Sequence, residues 1–275
     1  MMRSALLAIA VAAALVGRPV DITIKARSVQ PGEVVVVTIA GAPAEPPLHV
    51  RAFGHLVPAY RDGDNWRAIV GIDLDVKPGP YVLTVEPGGQ AYDLQVLPKR
   101  FRTRRLSVDE AFVTPPPAEQ PRIEREAALL AATWKASSTS RLWTTGFVRP
   151  VADKANSAFG TRSIFNGKAR NPHGGADFLS GAGTPVHAPN SGRIVIARNL
   201  YYSGNTVIID HGFGVFSMLA HLSRIDVHEG ESAVPGQIVG LVGATGRVTG
   251  PHLHWAVRAG DARVDPLSLL WMLGK

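Results

Sequence analysis

The chain of 275 residues contains no cysteine. That absence excludes disulfide bonds and every thiolate-built metal site. There is no HExxH motif either, so the glutamate base of the helical zinc peptidases is missing. Aromatic residues make up only 7%, and the basic residues do not interleave with them as in a nucleic-acid groove; nucleic acid is not expected as a partner. Long apolar runs are confined to the first residues, where MMRSALLAIAVAAALVG carries one basic residue and then a small, apolar run from Ser4 to Val16. That run is short of the about 20 residues that cross a bilayer and suits the apolar region of a signal peptide. Residues 1–17 are therefore read as an export signal, and the remainder as periplasmic or cell-envelope protein. The cleavage site is weakly marked, so an uncleaved anchor stays open.

What is abundant is turn chemistry and positive charge. Gly 28 and Pro 21 favour many short strands over long helices, and hydrophobic residues at 45% suffice for real cores. The net charge of +7 suits weak contact with anionic wall polymers or a membrane surface.

Three segments follow the leader. Residues 18–98 hold β-branched runs such as DITIKARSV, EVVVVTIA and PYVLTVEP between PG and GD turns, about six strands with no helical period. They are read as an immunoglobulin-like β-sandwich acting as a spacer or adaptor. Residues 99–146 form a basic and proline-rich linker, with KRFRTRR, VTPPPAEQPR and one helix from Pro121 to Lys135. Leu129, Leu130, Ala131 and Trp134 mark its apolar face, expected to bury on the back of the following sheet, away from any cleft. Residues 147–275 return to strand and turn, with a helix only at PLSLLWML, and hold seven of the nine histidines. The fold class is mainly β.

In TGPHLHW, His252 and His254 lie two apart and face the same way in a strand, while Leu253 and Trp255 face the other. In NPHGGADF, His173 and Asp177 are four apart, but Pro172, Gly174 and Gly175 oppose a helix, so a bent loop entering a strand must bring them together. Imidazole and carboxylate are both zinc ligands. His173, Asp177 and one histidine of the HLH pair would make a three-ligand site with an open fourth position, the arrangement of a catalytic metal. His221 ends the apolar strand LAHLS. His187, His211 and His228 are read as structural, and Asn205 and Asp210 as turn caps.

HGGAD, AHLS and TGPHLHW, in that order among glycine-rich strands, resemble the lysostaphin-type zinc metallopeptidases that cut peptidoglycan cross-links. The resemblance runs from about Ser157 to Pro266 and includes GTPVHAP, GRIVIA, GNTVIIDHG and VPGQIVGLVGATG. It implies an antiparallel catalytic domain of the duplicated-hybrid-motif type, following the sandwich. It implies one zinc per chain, held by His173, Asp177 and His254. It implies His252 and His221 as catalytic residues: the first a general base toward zinc-activated water, the second steadying charge on the scissile carbonyl oxygen. Arg162 and Asn171, beside the first ligand, are candidates for substrate contact. Tyrosine is usual two residues before the histidine of HL, and Leu219 stands there, which leaves fine substrate preference open. The expected substrate is peptidoglycan stem peptides and their cross-links. A non-catalytic wall-binding relative that activates another hydrolase is the alternative, although no ligand position is lost. A carrier domain is disfavoured because no lysine follows PGQIVGLVG where a prosthetic group would attach.

Overall fold

The computed structural model describes residues 20–107, 114–155 and 159–274. The proposed signal segment, residues 1–17, lies outside them, as does Ser157. No helix among the described residues is long and apolar enough to cross a membrane.

The first unit has eight strands: β1 (Asp21–Ala26), β2 (Val34–Ala40), β3 (His49–Ala52), β4 (His55–Pro58), β5 (Tyr60–Asp62), β6 (Asn65–Gly71), β7 (Gly79–Glu86) and β8 (Gln90–Val96). They form two four-stranded antiparallel sheets, ordered β1-β2-β6-β5 and β4-β3-β7-β8. Short strands such as Tyr60–Asp62 carry too little periodicity to be read singly, which is why six were expected. Val35, Val37 and Ile39 of β2 point into the sandwich core with Val50, Leu83 and Leu94. Val34, Tyr60 and Ile69 instead join the core of the second unit. The unbroken run VVVV in β2 is thus explained by burial on both faces.

The linker does more than connect. Thr103–Leu106 (β9), from the basic run read as linker, pairs parallel with Arg162–Phe165 (β10), which pairs in turn with Lys168–Ala169 (β11). A short 3₁₀ turn then leads into α1 (Gln120–Lys135). Leu129, Leu130 and Trp134 pack on Ile196, Ile208 and Phe216, whereas Ala131 is exposed.

Nine strands make the main sheet: β12 (Gly175–Phe178), β13 (Pro185–His187), β14 (Gly192–Leu200), β15 (Gly204–Gly212), β16 (Val215–Ile225), β17 (Ser232–Ala233), β18 (Ile238–Val242), β19 (Leu253–Ala259) and β20 (Ala262–Val264). The path β12-β19-β16-β15-β14-β17 is antiparallel throughout. Leu253, Trp255, Val257 and Ala259 of β19 bury in the core on one face. His254, Ala256 and Arg258 occupy the other.

The expectation that α1 covers the back of this sheet is corrected here. Phe216 of β16 stands opposite Arg258 of β19, and Ala220 opposite His254. Trp134 meets the Phe216 ring edge-on at 5.3 Å, and Arg258 lies 5.0 Å over the Trp134 ring. The helix therefore sits on the face that carries His254, about 13 Å further along the strand at roughly 3.3 Å per residue. Glu126 accepts from the backbone N–H of Tyr201, and Arg122 donates to the Asn199 side chain. The physical reason is that the opposite face is already filled by the main core, which leaves Ile196, Ile208 and Phe216 on the open face to receive the stripe.

The two units are joined tightly, although a proline-rich linker is expected to hold domains apart. Arg263 of β20 is bidentate on Asp73 and also reaches Asp75. Asp265 caps α2 (Pro266–Leu273) through the Leu267 N–H and accepts from Arg27, which also holds the buried Glu33. Lys99 donates to Glu33 as well. Burial would raise the Glu33 pKa, and these cationic donors instead hold it below the usual range.

Candidate active site

β12 and β19 are neighbours in register Asp177↔His254. The pairing of two motifs 77 residues apart thus sets carboxylate and imidazole side by side: His254 Nδ1 lies 2.9 Å from Asp177 Oδ1. Gly175 is needed here, because a Cβ at that position would meet the His254 ring at 2.7 Å. The loop ahead of β12 returns His173 by two backbone bonds, Gly160 N–H to His173 C=O and His173 N–H to Thr161 C=O. His173 Nε2 then lies 3.0 Å from both His254 Nδ1 and Asp177 Oδ1.

Three ligand-type atoms therefore form a triangle with edges of about 3 Å, all half-buried. A single proton cannot satisfy it, since two imidazole nitrogens point at each other and at one carboxylate oxygen. A divalent metal ion facing all three lone pairs does, and the donor set of two imidazoles and one carboxylate fits such an ion. Burial would raise the Asp177 pKa, but the hydrogen bonds and charges of His173 and His254 hold the carboxyl far below its usual range. Burial pushes His254 down, against its bond to Asp177. Both shifts favour the ligating protonation states.

The other two histidines stand beside the triangle. His252 Nε2 is 3.8 Å from Asp177 Oδ1, and the His252 ring centroid is 4.9 Å from that of His221. His221 reaches the cleft by a device not readable from alternation. Val207 pairs Leu219 and Asn205 pairs Leu222, so β16 carries an extra residue there, and His221 has φ 65. This bulge keeps Leu219 wholly buried in the core while turning the His221 ring toward His252 and His254. Leu219, standing where tyrosine is usual, thus lines the core and not the cleft. Burial, then the neighbouring His254, lower the His221 pKa to about 4.

Of the substrate-contact candidates, Arg162 and Asn171 are both exposed. His187, His228 and His211 lie outside the cluster: His187 beside the Pro150 carbonyl, His228 against Glu231 and His211 sealed in the core. Asp210 accepts from the Ser138 and Gly212 N–H groups as a turn cap. The loop Tyr201–Gly204, whose Ser203 carbonyl accepts the His221 N–H, carries no motif that marks it in the sequence.

A mainly β fold with a half-buried His/Asp/His triangle and two attendant histidines defines a metallopeptidase-type centre. The chain belongs to Peptidase family M23, whose profile matches residues 171–266. A crystal structure of a candidate M23 peptidase from Pseudomonas aeruginosa superposes with a TM-score of 0.71 at 35% identity, covering 89% of this chain and 95% of that one. Among curated proteins, the chain is similar to the peptidoglycan DD-endopeptidase ShyA of Vibrio cholerae, 49% identical over 84 residues, which is 30% of this chain and 20% of that protein. It is also similar to the DD-carboxypeptidase/endopeptidase Mpg of Neisseria meningitidis, 41% identical over 97 residues, 35% of this chain and 22% of that protein. The match spans about a fifth of the length of these relatives.

Proposed function

We propose that this protein is an exported zinc endopeptidase that hydrolyses the peptide cross-links of peptidoglycan in the periplasm or cell envelope. The observation that carries the reading is the triangle of His173 Nε2, Asp177 Oδ1 and His254 Nδ1, with the two further histidines aimed at it. These three atoms would hold one zinc ion per chain. When bound, zinc supplies Lewis acidity toward a water molecule and toward a carbonyl oxygen. The names of the Vibrio and Neisseria relatives support wall peptides as substrate, and the net charge of +7 suits an anionic wall.

The proton work falls to His252 and His221. The Gly250 carbonyl accepts from His252 Nδ1–H at 2.9 Å, which leaves the lone pair on Nε2, the nitrogen near the triangle. Nε2 of His252 accepts the proton of the attacking water and later returns it to the leaving amine nitrogen. His221 donates Nδ1–H to the Thr245 carbonyl at 3.0 Å, so its Nε2 also begins with a lone pair. It therefore steadies negative charge on the carbonyl oxygen only after taking up a proton, and begins the cycle by orienting the water. Arg162 and Asn171 are assigned to contact the peptide on the His173 side.

The test is digestion of purified, cross-linked muropeptide dimers read by mass spectrometry. Conversion of dimers to monomers, abolished by chelation and restored by zinc, is expected. Intact dimers with metal-loaded protein would overturn the reading.

A further inference from the structure

What His221 can do depends on where its ring points, and two hydrogen bonds set that. Its backbone N–H donates to the Ser203 carbonyl at 2.9 Å, and its Nδ1–H to the Thr245 carbonyl at 3.0 Å. Thr245 is held in turn: its hydroxyl donates to the Leu222 carbonyl at 2.7 Å and accepts the Asn205 N–H at 2.9 Å. Ser203 and Asn205 both lie at the turn between β14 and β15. This turn and the Thr245 loop meet without slack, since a Cβ on Gly246 would strike the Gly204 backbone and one on Gly204 would strike Thr245.

The same turn is gripped from outside by α1. Glu126 Oε2 accepts the Tyr201 N–H at 2.7 Å, while its Oε1 accepts from Arg122 Nε, one helical turn earlier, also at 2.7 Å. Arg122 donates as well to Asn199 Oδ1 at 2.9 Å, and the Asn199 amide donates to Asn205 Oδ1 at 3.0 Å. One carboxylate and one guanidinium thus tie the helix to both strands of the hairpin. The Glu126 side chain is only 17% exposed, so water competes weakly for these bonds. Burial of Leu129, Leu130 and Trp134 accounts for α1 lying on the sheet, but not for a polar grip on the one turn that anchors His221. Moreover, α1 precedes residues 171–266, which the family profile matches, so this support comes from outside them.

We propose that Glu126 is a positioning residue for His221: by holding the β14–β15 turn, it keeps the Ser203 and Thr245 carbonyls where they orient the His221 ring. The linker helix then supports the active site as well as covering apolar surface. This role rests on the peptidase reading above and deepens it.

The test uses the full-length zinc-loaded enzyme on cross-linked muropeptide dimers. Displacing a reacting group by about 1 Å costs up to roughly 10² in rate, so Glu126→Ala should lower kcat by roughly 10- to 100-fold. KM and zinc retention should stay nearly unchanged. Glu126→Gln keeps an acceptor for the Tyr201 N–H and should recover most of the loss. Asn199→Ala, which breaks the second grip and leaves α1 intact, should give the same pattern at smaller size. In a His221→Ala background Glu126→Ala should cost nothing further, because the ring it orients is gone, whereas a purely structural role would cost the same in both backgrounds. Nitrogen NMR of histidine-labelled protein reads the orientation without catalysis. It should show the His221 Nδ1–H tautomer in wild type and Glu126→Gln, and a mixture of tautomers in Glu126→Ala. Undiminished kcat in Glu126→Ala, an equal loss in the His221→Ala background, or an unchanged tautomer overturns the role and leaves the peptidase reading intact. Intact dimers with the metal-loaded wild type would defeat the peptidase reading and this role together.

Discussion

His221 and His252 are anchored by the same loop: Thr245 accepts the Nδ1–H of the first at 3.0 Å and Gly250 that of the second at 2.9 Å. One loop thus sets the tautomer of both rings and leaves both Nε2 atoms as acceptors. The paired anchoring separates these histidines from His173 and His254, whose near nitrogens are turned to Asp177.

The first prediction concerns the metal. Full-length protein should bind about one zinc per chain, and His254→Ala should abolish retention by removing one ligand of three. Elemental analysis after dialysis measures it. Full occupancy in His254→Ala would sink the ligand set.

The second separates proton transfer from ligation. His252→Ala and His221→Ala should keep zinc and the fold while lowering kcat/KM by roughly 10² or more, the scale for loss of a general base or oxyanion donor. Loss of metal in either variant would mean that the roles are wrongly divided.

Acid stability gives the third. His211 donates Nδ1–H to the Ser191 carbonyl and accepts from the Ser217 hydroxyl, and burial lowers its pKa to about 4. Its pKa is depressed on folding, so between about 6.5 and about 4 the unfolded chain binds the extra proton and stability falls as pH falls. Above that window the contribution is fully present. At about 1.4 kcal/mol per unit it amounts to on the order of 3 kcal/mol, and His211→Gln should flatten this part of the stability–pH curve relative to wild type. Urea unfolding across pH 4–7 checks it, and parallel curves for the two proteins would refute it.

The fourth tests the coupling between the units. A chain begun at Phe147 uncovers Ile196, Ile208 and Phe216 and removes Val34, Tyr60 and Ile69 from the main core. It should melt roughly 10 °C or more below the protein begun at Asp21, given several kcal/mol of lost burial. Calorimetry decides; equal melting temperatures would show the amino-terminal unit to be a separate arm.

Much of this protein was legible in its sequence where the signal is local. Same-face alternation set His252 beside His254, and glycine and proline around His173 ruled out a helix, because side-chain direction in a strand depends only on parity. The stripe Leu129, Leu130 and Trp134 marked a helix face that had to be covered. Which face of the sheet would cover it depended on the opposite one being filled already, a matter of packing that α1 cannot encode alone. His221 turns into the cleft through a bulge created by mismatched strand lengths, and Arg247 reaches Tyr202 because two loops 45 residues apart close on each other. Likewise, the basic run read as linker became a strand and a partner for Glu33 because the two units share one core. Periodicity determined the elements and their chemistry; strand pairing and the competition for apolar surface, which act between distant residues, decided where each was placed.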